Sequence, residues 1–344
     1  MPQPHPTTVM QMQSPTELPG RSGLAYLPGL TGIRAFAVLA VVVYHSGLSW
    51  LPGGFYGVDT FFTLSGFLIT SLLLAEWNAT GSVSLSSFWA RRARRLLPGL
   101  FVMMAAVGAA TALWPAVLAS PHERSDALAT LFYVANWHFI AEHSNYFVAT
   151  AQPSPFLHTW SLAIEEQFYI LWPLLVLFVL RMRLSPGAKR AVLGAISLAG
   201  AGASALAMAL FVGSGGDTVR AYYGTDTRAQ SILIGAALAI FLSGRTKKKV
   251  ATPWQTASGT FRSQSPNRTI GVGIGLAGAA TTAVVWSLVS ESSPLAFRGG
   301  FALVSLGAAG VIYSVTTEPG CWLARSLSWG PVAWLGKISY GVYL

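Results

Sequence analysis

The sequence predicts an all-α protein: a polytopic transmembrane helical bundle of about ten membrane segments, the last one incomplete. Three observations carry that prediction. Only 10% of the 344 residues are charged and 53% are hydrophobic, against roughly 25% charged in an ordinary soluble domain. Apolar runs of spanning length recur along the whole chain, and one crossing takes about 20 residues. Short basic clusters separate those runs, the distribution expected of loops kept in the cytoplasm.

Each element follows in order. Residues 1–25 are rich in Pro, Gln, Ser and Thr and hold no apolar run. They read as a disordered cytoplasmic tail, since a signal peptide needs an apolar core behind a basic start. Spans are expected near 30–50, 54–75, 97–115, 160–180, 191–212, 228–243, 270–290 and 297–316. Another begins near 332 and is still running at Leu344. The run 127–141 is short and carries Asn136 and His138, which suits a re-entrant or tilted segment better than a full crossing. With that partial crossing and a cytoplasmic N-terminus, three basic clusters all fall inside. They are Arg91, Arg92, Arg94 and Arg95; Arg181, Arg183, Lys189 and Arg190; and Arg245, Lys247, Lys248 and Lys249. The longest polar stretch after the tail, 244–269, is a basic Ser/Thr-rich loop, and no internal repeat is visible. The chain thus reads as a multi-pass plasma (inner) membrane protein with the lipid bilayer as its first partner.

The charge balance excludes other classes. Lys+Arg 22 against Asp+Glu 12 gives a net charge of +10. The basic residues lie between apolar runs rather than on a face, so no nucleic-acid partner is expected. Cys321 is alone, and no Cys/His set has zinc spacing, so no metal is expected either.

Ionisable residues within apolar runs are functional candidates, because a charge inside the bilayer costs several kcal/mol. Arg34 and His45 stand 11 residues apart in GIRAFAVLAVVVYH. That is close to three helical turns, so they share a face about 16 Å apart. Histidine titrates near neutrality and suits acid–base work. The plainer reading is a snorkelling Arg and a His bonded to a backbone carbonyl. Asp59 lies one turn into the second span, where it could meet His45 and hold the imidazole; the alternative is a cap at the helix start. In FWARRARRLLP, Arg92 and Arg95 share a helical face, and guanidinium pairs suit phosphate. A topology signal would also explain them. LHTWSLAIEEQFYILWP carries His158, Glu165, Glu166 and Gln167. Glu165 and Glu166 point about 100° apart on a helix, so at most one is expected to face a given site.

Five stretches together resemble the acyltransferase 3 family of integral membrane acyltransferases. They are LPGLTGIRAFAVLAVVVYH, GGFYGVDTFFTLSGFLIT, FWARRARRLLP, LHTWSLAIEEQFYILWP and the terminal LGKISYGVYL. They occur in the family's order and cover residues 27 to 344, and they look most like the branch that O-acylates bacterial surface carbohydrates. The resemblance implies a transmembrane acyltransferase domain over 26–344. It implies transfer of an acyl group, most commonly acetyl, from cytoplasmic acyl-CoA to a carbohydrate or glycolipid hydroxyl. The family's Arg-x10-His motif falls on Arg34 and His45. Its Arg-x-x-Arg motif falls on Arg92 and Arg95, expected at the coenzyme's phosphates together with Arg34. Its Glu falls on Glu165 or Glu166, with Glu166 favoured. The last family motif usually runs on with a Trp-His pair, so the chain reads as C-terminally truncated.

The mechanism this implies places the coenzyme head at Arg92 and Arg95, with its pantetheine arm threading between helices toward His45. His45 then either takes the proton of the acceptor hydroxyl or carries the acyl group itself. Asp59 holds the imidazole, Glu166 orients the acceptor, and His158 and Glu165 help bind it. Two rivals are a transporter or flippase for a lipid-linked sugar, and an inactive fragment.

Overall fold

The computed structural model describes residues 26–115, 122–144, 154–213, 217–244 and 268–344. The expected tail at 1–25 and most of the basic loop lie outside them. Among the described residues all regular structure is helical. In chain order the helices are α1 (Pro28–His45), α2 (Gly57–Thr80), α3 (Leu85–Leu113), α4 (Glu123–Leu131) and α5 (Ala135–Ala141). Then come α6 (Trp160–Arg181), α7 (Pro186–Gly213), α8 (Thr218–Tyr223) and α9 (Thr225–Ser243). The last four are α10 (Arg268–Leu288), α11 (Phe301–Thr317), α12 (Trp322–Leu327) and α13 (Gly330–Tyr343).

Local chemistry sets their ends. Pro28 opens α1, where its missing N–H costs nothing. Gly81 closes α2 with φ 70, and its N–H reaches the Trp77 carbonyl. The Ser84 side chain caps α3 by accepting from the Ser87 N–H. Pro98 and Pro173 lie inside α3 and α6, as membrane helices tolerate.

Seven described helices are long and apolar enough to cross a bilayer: α1, α2, α3, α6, α7, α10 and α11. The expectation of about ten exceeds this for identifiable reasons. α9 spans 19 residues but carries Asp226, Arg228 and Gln230 near its start. It is nonetheless central, packed against both α2 and α7. α13 has 14 residues. The run 127–141 is broken at Tyr133, whose φ of 54 no helix tolerates, into parts of α4 and α5. These helices have 9 and 7 residues, and at 1.5 Å per residue neither crosses about 30 Å of hydrocarbon.

Apolar burial cannot drive helix association in lipid, so close packing must. The α2–α9 contact shows how. Gly66 lies under the Ile232 carbonyl and Gly235 under the Thr63 carbonyl, and a Cβ at either would collide with backbone. Basic residues gather at one end. Arg91 approaches Glu76 at 3.7 Å, while Lys189 donates to the Leu180 carbonyl at 2.5 Å and lies over Trp77. The end of α2, the start of α3, the end of α6 and the start of α7 therefore meet.

Candidate active site

A recess of about 840 Å³, counting the space where it opens outward, lies among α1, α2, α3, α6 and α13. It gathers Arg34, Arg92, Arg95, Glu165 and Glu166, which sequence reasoning had singled out on separate helices.

At its basic end, the Arg92 guanidinium stacks 4.0 Å from the centre of the Tyr169 ring. The Tyr169 hydroxyl donates to Glu165 Oε2 at 2.6 Å, and Ser65 Oγ lies 2.9 Å from the same hydroxyl. Arg34 and Arg92 both act electrostatically on Glu165. Arg95 joins them in acting on Arg34. Arg92 is half-buried and Arg95 exposed. The Arg34 Nε is buried without a hydrogen-bond partner among the described residues. Cations thus outnumber the carboxylates they face, and one guanidinium N–H remains for a bound acceptor.

Both Glu165 and Glu166 line the recess, which corrects the expectation that only one could face a site. The recess wraps around α6, so residues 100° apart both reach it. Glu165 turns to Tyr169 and Arg34, while Glu166 is felt by Tyr133 and Tyr340.

At the other end, Ser161 Oγ and Tyr343 Oη are 2.6 Å apart, and Tyr343 donates to the His158 carbonyl at 3.0 Å. The His158 ring bonds the Pro155 backbone, and its Nε2 is buried without a partner among the described residues. A carbonyl only accepts, so Nδ1 carries the proton and Nε2 is the proton acceptor. His45 has the same polarity: its Nδ1 sits 2.8 Å from the Val41 carbonyl. That is the backbone bond foreseen as the plainer reading, and it fixes the tautomer. His45 does not line the recess, but it lies within electrostatic range of His158. Tyr343, which lines the recess, is thus tied to His158, and His158 is within electrostatic range of His45.

Asp59 departs from expectation. Its Oδ2 accepts from Arg228 Nη2 at 2.9 Å and its Oδ1 from Ser231 Oγ at 2.7 Å. It neither orients the His45 ring nor caps α2, which has no side-chain cap. The reason is helical phase: Asp59 faces α9, where Arg228 and Ser231 take both carboxylate oxygens. Arg228 is fully buried, with Phe62, Trp160, Tyr222 and Phe301 rings 4.1–5.8 Å from its guanidinium. Sequence reasoning missed Arg228, although it opens the 228–243 run and meets the criterion that flagged Arg34. Tyr169, Tyr340 and Tyr343 lay inside quoted motifs but carried no charge to mark them.

Comparison with known proteins identifies the family. Residues 27–344 match the family model described as an acyltransferase domain. The chain is 39% identical over 324 residues to the putative peptidoglycan O-acetyltransferase YrhL of Bacillus subtilis, covering 93% of this chain and 48% of that protein. It is 39% identical over 324 residues to the peptidoglycan O-acetyltransferase OatA of Listeria monocytogenes, with the same coverage. Against the O-acetyltransferase OatA of Staphylococcus aureus it is 38% identical over 319 residues, covering 93% of this chain and 50% of that one. The chain therefore spans about half the length of the curated relatives it matches. No solved structure matches. The ordered motifs, the helical bundle and a family match over nearly the whole chain lead to one conclusion: the chain belongs to the acyltransferase 3 family of integral membrane acyltransferases.

Proposed function

We propose that this membrane domain transfers an acetyl group from cytoplasmic acetyl-CoA to a hydroxyl of a cell-wall carbohydrate, peptidoglycan being the acceptor class its relatives' names suggest. The observation that carries the reading is the recess, with Arg34, Arg92 and Arg95 at one end and Ser161, Tyr343 and His158 toward the other. A long, anionic-headed donor suits such a channel. Its phosphates would meet Arg92 and Arg95, since guanidinium groups bind phosphate oxygens in pairs. Arg34 would meet the phosphates or the amides of the arm. The basic end would face the cytoplasm, in keeping with the positive-inside rule, which also places the N-terminus there.

The reacting end would hold the thioester near Tyr343 and the two histidines. His45 Nε2 takes the acceptor hydroxyl's proton as that oxygen attacks the thioester carbonyl carbon. The carbon–sulfur bond breaks, and the coenzyme leaves as a thiolate that is protonated in turn. Proton transfer of this kind typically contributes about 10²–10⁴-fold. His158 would share the acceptor with Glu166, while Glu165, held by Tyr169, would balance the arginines. Asp59 would act through the packing of α2 on α9, not on the imidazole.

Membranes containing the full chain, supplied with labelled acetyl-CoA, test this. Label should pass to a cell-wall glycan fraction with the native protein and not with His45→Ala. Sugar movement across vesicles without acetyl-CoA, with no label transferred, would favour the transporter reading instead.

A further inference from the structure

A second cavity, of about 500 Å³ counting the space where it opens outward, lies at the basic end of the bundle and shares no lining residue with the recess. It opens where α2, α6, α7 and α9 terminate. Leu74 and Leu180 close its floor as part of the buried core, Trp77 stands half-buried beside them, and Lys189 and Arg190 supply positive charge. Lys189 is anchored: its Nζ donates to the Leu180 carbonyl and lies 5.5 Å from the Trp77 ring centre. Arg190 is half-buried and has no ion-pair or hydrogen-bond partner among the described residues. Glu76, the neighbour of Trp77 in the chain, is engaged by Arg91 and the Ser84 amide.

This pairing is chemically specific. Lys189 and Arg190 are the fourth and fifth residues of α7, near the positive end of its dipole, and no acidic residue lies in its first turn, so an anion there is favoured. The half-buried tryptophan suits the interfacial belt, where lipid headgroups lie. Basic pockets between membrane helices at the headgroup level take phosphate-bearing lipids. We propose that this cavity binds the phosphate headgroup of an anionic glycerophospholipid, with Arg190 as the principal ligand. The site is independent of the acetyl-transfer reading.

The test uses the full chain purified in detergent and titrated with phosphatidylglycerol, phosphatidylcholine or inorganic phosphate, with bound lipid read by native mass spectrometry. Phosphatidylglycerol should be retained over phosphatidylcholine, and Arg190→Gln should lower its affinity about fivefold, the contribution of one basic side chain at such a surface. Arg190→Lys should recover part of that loss. Lys189 stays in place because it caps α6. Equal retention of the two lipids, or unchanged affinity in a folded Arg190→Gln protein, overturns the proposal. So does saturation by inorganic phosphate alone at the affinity of the lipid. If Arg190→Gln does not fold, the comparison of the two lipids on the native protein decides.

Discussion

Asp59 on α2 and Arg228 on α9 form an ion pair with both side chains fully buried, Nη2 to Oδ2 at 2.9 Å. Ser231 satisfies the second carboxylate oxygen, and aromatic rings surround the guanidinium. The pair joins the helix that carries Phe61, Phe62 and Ser65 into the recess to the helix at the centre of the bundle.

Removing one partner of such a pair leaves an uncompensated buried charge, which costs about 3–5 kcal/mol. Arg228→Met and Asp59→Asn should therefore each sharply lower the yield of monodisperse protein in detergent. The double variant should recover part of the loss. Equal damage in the double variant would mean that shape, not charge, holds α9.

His45→Ala should abolish acetyl transfer while leaving insertion and thermal stability near native. His45 ends α1, and its Nδ1 meets the Val41 carbonyl of the same helix, so the anchor of the ring is local to α1. Transfer rates from membranes matched for protein amount provide the measurement. His158→Ala should slow transfer too, but with a stability loss, because the half-buried His158 ring packs against Tyr343.

Arg92→Ala with Arg95→Ala should raise the KM for acetyl-CoA about tenfold or more, since a charge-assisted hydrogen bond is worth about 1.5–3 kcal/mol. Arg95→Ala alone should act on KM without changing stability, as Arg95 is exposed. Arg92→Ala should also destabilise, through loss of the Tyr169 stack. An unchanged KM accompanied by inverted topology would mark the cluster as an orientation signal.

Tyr169→Phe should cost about 1.5–3 kcal/mol, the worth of a hydrogen bond to a charged group, by removing the donor to Glu165. Glu165→Gln in the same background should cost more again, because it also removes the carboxylate that faces Arg34 and Arg92. A double-mutant cycle on thermal unfolding in detergent checks the coupling.

Gly235→Leu should prevent folding, because the added side chain would meet the Thr63 backbone. Gly202→Ala on α7 should be neutral, since nothing lies within 4 Å of a Cβ there. Fluorescence-detected size exclusion distinguishes the two outcomes.

The helical class and the site's basic pole were legible before any coordinates. Long apolar runs permit only helices in lipid, and intramembrane arginines and carboxylates mark themselves by their cost. The count of spans was less legible, because α9 crosses the bundle's centre with polar residues at its start, and hydropathy counts those against it. The partner of Asp59 was not legible either. A helical wheel gives the phase of one helix but not the neighbour toward which that phase points.

The sequence by itself determined that this is a membrane bundle of the acyltransferase 3 family, and which charged residues it carries into the bilayer. Composition and motif order are sums over the chain, and they need no knowledge of contacts. The tertiary structure alone decided that Arg34, Arg92, Glu165 and Glu166 share one recess, that Tyr169 and Ser65 join them, and that Asp59 answers to Arg228. Those pairings link residues up to 169 positions apart, and they follow from glycine-permitted approaches between helices that no local pattern encodes.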